Sequence, residues 1–205
     1  MAQVKLTKTQ LRIEQVKLGR LRKYLPTLQL KKALLQIEVN QAQSEIEQLL
    51  SEFSIAEERV SQYASLFTEQ RATDLFAAVA IKEVERVQEN IAGIDVPYFK
   101  GITFEPPSYS LFDTPVWFES AILGVKHLVT IREKIRVVEE KKQALEKELK
   151  EVSIRVNLFE KILIPRALFD IKKIKIFLGD QQLAAVSQAK VAKKKILQRN
   201  ARNAS

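Results

Sequence analysis

The chain has 205 residues, with 34 Lys and Arg against 25 Asp and Glu, for a net charge of +9. That length suits one ordinary domain, and the absence of cysteine excludes disulfides, a thiol nucleophile and a Cys-based metal site. The longest apolar run, Leu75 to Ile81, is far too short to span a bilayer, and charges from Lys5 onward leave no apolar core for a secretory leader. A soluble chain is expected, one still able to dock on a membrane complex.

Thr7 or Thr9 can cap the first helix. An apolar seam begins at once, through Leu11, Leu18, Leu21, Leu25 and Leu28, with Glu14 and Lys32 as polar exceptions. It continues through Leu35, Val39, Ala42, Ile46, Leu49, Phe53, Ala56, Val60, Tyr63 and Phe67. Alternating steps of three and four average about 3.5 residues, the period of a left-handed coiled coil. So narrow a seam needs a partner helix. Pro26 removes a helical hydrogen bond and clashes one turn back, but the seam keeps its phase across it. A bend is expected there, not an end.

The middle has a different character. Leu75, Val79, Val84, Val87 and Ile91 read as a shorter helix over Thr73–Ile91, ended by Gly93. Pro97, Gly101, Pro106, Pro107 and Pro115 follow, with β-prone runs at Tyr98–Phe104 and Tyr109–Phe112. These predict a small β-hairpin or Ω-like excursion. Its rings, Tyr98, Phe99, Phe104, Tyr109, Phe112, Trp117 and Phe118, suit a satellite core for the most part. An exposed docking patch is the alternative for some of them.

A second seam runs through Leu128, Ile131, Ile135, Val138, Leu145, Leu149, Val152, Val156, Phe159 and Leu163, interrupted only by Lys142. Pro165 lies inside this helix too. Beyond it the pattern loosens to Phe169, Ile176 and Leu183, with Ile174 and Phe177 off the seam. Lys190 to Ser205 reads as a basic tail, helical near Lys193–Leu197.

The expected fold is therefore mostly α. N- and C-terminal helices form a long antiparallel two-helix coiled coil, with a short middle helix and a small β-hairpin excursion. The segments are 1–70, 71–118 and 119–205. Folding back with Phe67 near Leu128 makes paired residue numbers total about 195, which sets Pro26 and Pro165 at nearly one level. Sixty helical residues would span on the order of 90 Å. Residues 1–32 hold nine Lys or Arg and one acid, and residues 181–205 hold six and none. Together they carry +14 against a net +9 for the whole chain, so the region between carries −5. An antiparallel hairpin would gather both basic ends at one tip, which would attract an acidic partner.

Catalytic constellations are missing. His127 is the single histidine, so neither a His pair for metal nor a Cys–His arrangement can be written. Five scattered glycines form no phosphate loop and no dinucleotide fingerprint. Glu139, Glu140, Lys141 and Lys142 are a charged helix face. Tyr24 is the only ring in either basic segment, so base stacking lacks a platform. No cofactor, no metal and no catalytic residue is expected, which points to a mechanical or interaction protein.

Three segments resemble a known family. They are Lys5-Leu6-Thr7-Lys8-Thr9-Gln10-Leu11, the run from Arg20 to Leu34 containing Tyr24-Leu25-Pro26-Thr27-Leu28, and Ile162-Leu163-Ile164-Pro165-Arg166-Ala167-Leu168. They are similar to the D subunit of the V-type (A-type) ATPases. Asn90-Ile91-Ala92-Gly93 followed by Ser110-Leu111-Phe112-Asp113-Thr114-Pro115 matches the bacterial branch. Phe169-Asp170-Ile171-Lys172-Lys173-Ile174 stands where many relatives have an Arg-rich helix.

The resemblance implies a non-catalytic central-stalk rotor, cytoplasmic and peripheral on the membrane. Its termini would enter the bore of the ring of catalytic and regulatory subunits. The F subunit of the stalk would sit on its flank, and the membrane-side funnel subunit (C or d) would seat its other end. Neither direct membrane insertion nor direct nucleic-acid binding is implied. The expected bore-facing set is Lys5, Lys8, Arg12, Lys17, Arg20, Arg22 and Lys23, with Lys190, Lys193, Lys194 and Lys195. Phe112, Trp117 and Phe118 are the expected residues at the membrane-side interface or the contact with the F subunit. A prefoldin-like chaperone would need apolar tips, and a nucleic-acid-associated coiled coil would bind duplex DNA in a salt-sensitive way.

Overall fold

The computed structural model of the chain describes residues 5–62, 64, 78–106 and 116–203. In order, the elements are α1 (Lys8–Ser61), β1 (Ile81–Ile91), β2 (Ile94–Phe104), α2 (Val116–Leu158), a π turn (Phe159–Leu163) and α3 (Ile164–Asn203). They fall into two compact units. One is Lys31–Val152; the other combines Met1–Leu30 with Ser153–Ser205.

In the unit Lys31–Val152, the second part of α1 and all but the end of α2 lie antiparallel. Lys31 Nζ meets Glu148 Oε1 at 2.7 Å, and Lys142 Nζ donates to Gln43 Oε1 at 2.7 Å. Farther along, Glu52 faces His127 at 3.8 Å. Numbers rise on one helix as they fall on the other. Leu35, Ala42, Leu145 and Val152 are fully buried, with Val39, Ile46, Ala56, Ile131 and Val138 close to it. These are seam residues, and they bury because an apolar stripe of heptad period is covered only by a second such stripe. The expected Tyr63 and Phe67 lie outside the described residues.

The register differs from the one expected. Lys31 with Glu148 and Glu52 with His127 each total 179, and Gln43 with Lys142 totals 185, against about 195 in the sequence reading. A heptad seam is nearly unchanged by slips of one or two repeats, so apolar spacing leaves register weakly specified. The polar cross-helix pairs and a close approach at Gly124 distinguish one register from the next. A Cβ there would lie 2.9 Å from Val60 Cγ2.

Residues 81–91 are a strand, not the expected end of a middle helix. Their apolar spacing of three, three and four mimics a helix. Ile81, Val84, Val87 and Ile91 are β-branched, however, and an antiparallel partner lies immediately downstream. Register shifts between Ile81 and Glu83 and between Glu85 and Arg86 break the two-residue alternation that would have marked a strand. Gly93 therefore ends no helix. With φ of +84° beside Ala92 at +52°, it makes the two-residue turn joining β1 to β2. Asn90 Oδ1 accepts from the Gly93 N–H at 3.0 Å, and Asn90 Nδ2 donates to Asp95 Oδ1 at 2.7 Å. The hairpin partner of Tyr98–Phe104 is thus the segment before it. Tyr109–Phe112 lies outside the described residues.

The hairpin lies along α2 through charged contacts. Arg86 bridges Glu140 at 2.8 Å, and Lys126 and Lys134 sit over the rings of Phe104 and Phe99, at 5.2 Å and 5.8 Å from the centroids. Lys141, 6% exposed, donates to Tyr98 Oη at 2.8 Å and lies 4.1 Å from the same ring's centroid. Val96 is fully buried. At the start of α2, Phe118, Ala121 and Ile122 form a separate core with Ala78 and Val79, flanked by Phe104, Trp117, Val125 and Val129.

The unit of Met1–Leu30 with Ser153–Ser205 begins at a capped helix start. Thr7 Oγ1 accepts from the Gln10 N–H at 3.2 Å. α1 continues through Pro26 without a break. Leu21 is buried, and Leu11, Leu18, Leu25 and Leu28 are half-buried, as the seam requires. Glu14 also lies on the seam; its Oε1 accepts from Gln10 Nε2 at 3.0 Å. From the C-terminal side come Val156, Ala167, Ile171 and Ile174.

That last series corrects the expected continuation. Phe169, Ile176 and Leu183 are exposed, while Ile174, expected off the seam, is fully buried. A π turn sets which positions of α3 are buried. Pro165 has no N–H for the carbonyl of Lys161, and its ring crowds that carbonyl. The chain opens to i→i+5 geometry just upstream, where the Ile164 N–H bonds the Phe159 carbonyl. One extra residue per turn advances the seam by one position, from the 166/170/173 phase to Ala167, Ile171 and Ile174.

Candidate functional site

The sequence-predicted contact residues fall into two groups. Lys5, Lys8, Arg12, Lys17, Arg20, Arg22 and Lys23 come from the start of the chain, and Lys190, Lys193, Lys194 and Lys195 from α3. All eleven belong to one compact unit and all are exposed. The first seven lie off the seam because the buried stripe takes only the a- and d-like positions of α1, leaving the remaining faces to solvent, and the four on α3 belong to a stretch that is exposed throughout. Among the described residues, only Lys17 of the eleven has an ion-pair partner, Glu14 at 4.0 Å.

Charge is sharply divided between the units. Met1–Leu30 with Ser153–Ser205 carries 19 Lys and Arg against 4 acids, or +15; Lys31–Val152 carries 15 against 21, or −6. The two figures restore the net +9. An exposed set of cations that outnumbers its carboxylates makes a positive field that draws in acidic surfaces and is screened by salt.

The aromatic candidates are placed differently. Phe118 is 1% exposed, within the core beside Ala78 and Val79. Trp117 packs against that core and meets Phe118 edge to face, with centroids 6.0 Å apart. In this chain the pair forms the satellite core that was one of the two sequence readings. Phe112 lies outside the described residues.

Two features escaped the sequence reading. The first is the row of Lys126, Lys134 and Lys141 beneath the hairpin rings. Its signal was a Lys at steps of eight and seven on the α2 face beside the apolar seam, legible only once the hairpin's position is known. The second is the exposed apolar series on α3: Phe169, Ile176, Leu183, Val186, Val191, Ile196 and Leu197. The terminal surface is therefore not basic alone.

Among the described residues, no group of three or more His, Cys, Asp or Glu could hold a metal ion. No helix among them is long and apolar enough to cross a membrane. His127 faces Glu52 at 3.8 Å with both side chains more than half exposed.

The family model described as the D subunit of ATP synthase matches residues 10–194 of the chain. Curated relatives named as the D subunit of V-type ATP synthase match it over nearly its whole length. The protein from Chlamydia caviae is 46% identical over 199 residues, covering 97% of this chain and 96% of its own. That from Chlamydia pneumoniae is 45% identical over 201 residues, covering 98% and 96%. That from Chlamydia trachomatis serovar L2 is 44% identical over 198 residues, covering 96% and 98%. With an unbroken N-terminal seam, a two-stranded hairpin on the second helix and a family match reaching from the first helix into the basic tail, the chain belongs to the family of ATP synthase D subunits.

Proposed function

We propose that this chain is the central-stalk rotor shaft of a V-type ATP synthase complex, coupling ATP chemistry in the catalytic ring to rotation of the membrane ion-translocating ring. Its unit of Met1–Leu30 with Ser153–Ser205 occupies the bore of the ring of catalytic and regulatory subunits. The F subunit of the stalk and the membrane-side funnel subunit are its other partners. The chain supplies no catalytic group.

The observation that carries this reading is the placement of both basic termini in one compact unit of charge +15, with the Lys and Arg exposed. Contacts made by mobile ammonium and guanidinium groups in water are weak, screened and replaceable. A part that turns inside a sleeve needs such contacts, since a tight bond at one angle would stall it. The heptad seams meet the other requirement: knobs seated in holes over many turns resist relative twisting of the helices. A rotor with unlike faces also biases otherwise similar catalytic sites, by contacting each differently.

Deletion of residues 190–205 tests it. In a reconstituted complex the deletion should lower ion-coupled turnover while the helical far-UV signal of the remaining chain stays intact. Unchanged coupling with unchanged affinity for the ring would remove these residues from the bore contact. Failure of the full chain to bind the ring at all would remove the rotor reading.

A further inference from the structure

α3 has two opposite apolar faces, of which the chain covers one. Ala167, Ile171 and Ile174 are buried. Phe169, Ile176 and Leu183 recur at seven-residue intervals and are 66%, 56% and 69% exposed. The same interval leads through Lys190 to Leu197, which is also exposed. At about 100° per residue, these five positions span an arc of about 80°, centred roughly opposite the buried three. The extra residue of the π turn carries the buried face away from them.

The stripe runs into a helix that the chain does not cover. Every residue from Asp180 to Asn200 is exposed. An isolated helix of about twenty residues is only marginally stable in water, and most helical stability in proteins comes from packing an apolar face. Large apolar side chains repeated along such a segment are a face for a partner. Charge decides which kind. Lys172, Lys190 and Lys194 share the face, and the unit that carries it has a net charge of +15. A second copy of the chain would repel it; an acidic surface would be attracted.

We propose that Phe169, Ile176, Leu183 and Leu197 form a docking stripe for the ring subunits, and that the ring presents to it an apolar wall with carboxylates at its rim. This rests on the rotor reading and changes its chemistry: the bore contact is apolar at its centre and charged at its edges. Phe169, Ile176 and Leu183 stand about 10 Å apart along the helix, and Leu197 lies about 20 Å beyond Leu183. Each apolar contact is therefore small and separate, which keeps the barrier to sliding low.

The test uses the full chain added to ring subunits that lack it, with affinity measured across a salt series. The variant Ile176→Gln/Leu183→Gln keeps good helix formers at exposed positions, so the fold is retained. Its affinity should fall at least about tenfold, since truncated interface anchors cost this much or more. The deficit should persist at high salt. Lys190→Gln/Lys194→Gln should weaken binding mainly at low salt, and Ile176→Met/Leu183→Met should restore affinity. Wild-type affinity of the Gln variant at every salt concentration overturns the stripe while leaving the rotor reading standing. So does sedimentation showing that the Gln variant dissolves a dimer of the free chain, which would make a second copy the occupant. A wild-type chain that does not bind the ring overturns the rotor reading itself.

Discussion

Leu34 and Leu35 are neighbours of the same chemistry on opposite terms with solvent. Leu35 is fully buried against the partner helix, and Leu34 is 48% exposed. Leu35→Ala deletes three buried carbons and leaves a cavity. In compact cores such changes cost about 2–5 kcal/mol, the low end applying where the surroundings can collapse. A two-helix seam is one residue deep and open at both sides, so the low end is expected here, about 2–3 kcal/mol. Leu34→Ala removes little buried area and swaps one good helix former for another; it should stay within about 0.5 kcal/mol. Urea unfolding followed by the far-UV helical signal measures both. With a slope of about 1–3 kcal/mol per molar, Leu35→Ala should lower the midpoint by roughly 1–2 M and Leu34→Ala by much less. Equal midpoints for the two variants would refute the phase of the seam, and with it the antiparallel pairing of α1 and α2 in this unit.

Gly124→Ala should cost about 1–3 kcal/mol, because its Cβ would lie 2.9 Å from Val60 Cγ2; adding Val60→Ala should recover part of it in a double-mutant cycle. Tyr98→Phe removes the hydroxyl that accepts from buried Lys141. It should destabilise by about 1–3 kcal/mol, whereas Lys141→Met in the same background should relieve the loss. Ala92→Gly should stabilise the hairpin by up to about 1 kcal/mol, since Ala92 holds φ of +52° that glycine adopts freely. Hydrogen exchange of the β1 and β2 amides reads that effect locally.

The path of the first helix was legible in the sequence. Positions 11, 14, 18, 21, 25, 28, 35, 39, 42, 46, 49, 53, 56 and 60 turn inward as the spacing required, Glu14 included. Periodicity works there because the helix is long and its partner is another helix. The same reasoning failed for residues 81–91, where two register shifts disguised a strand with helical spacing. Of the candidate site, the basic residues were legible because charge needs no fold to be counted. The outward face of the apolar stripe on α3 was not legible, because a seven-residue spacing looks the same whether or not a partner covers it.

Sequence alone determined the coiled seams and the two basic termini, both of which depend on residue type and spacing along one chain. Tertiary structure decided the register of α1 on α2, the strand at 81–91, the cation–ring contacts of the hairpin and which face of α3 stays uncovered. Those depend on what a residue meets across space. A heptad pattern is close to invariant under a slip of one repeat, so polar pairs, one close glycine and one opened helical turn settle what the apolar pattern leaves degenerate.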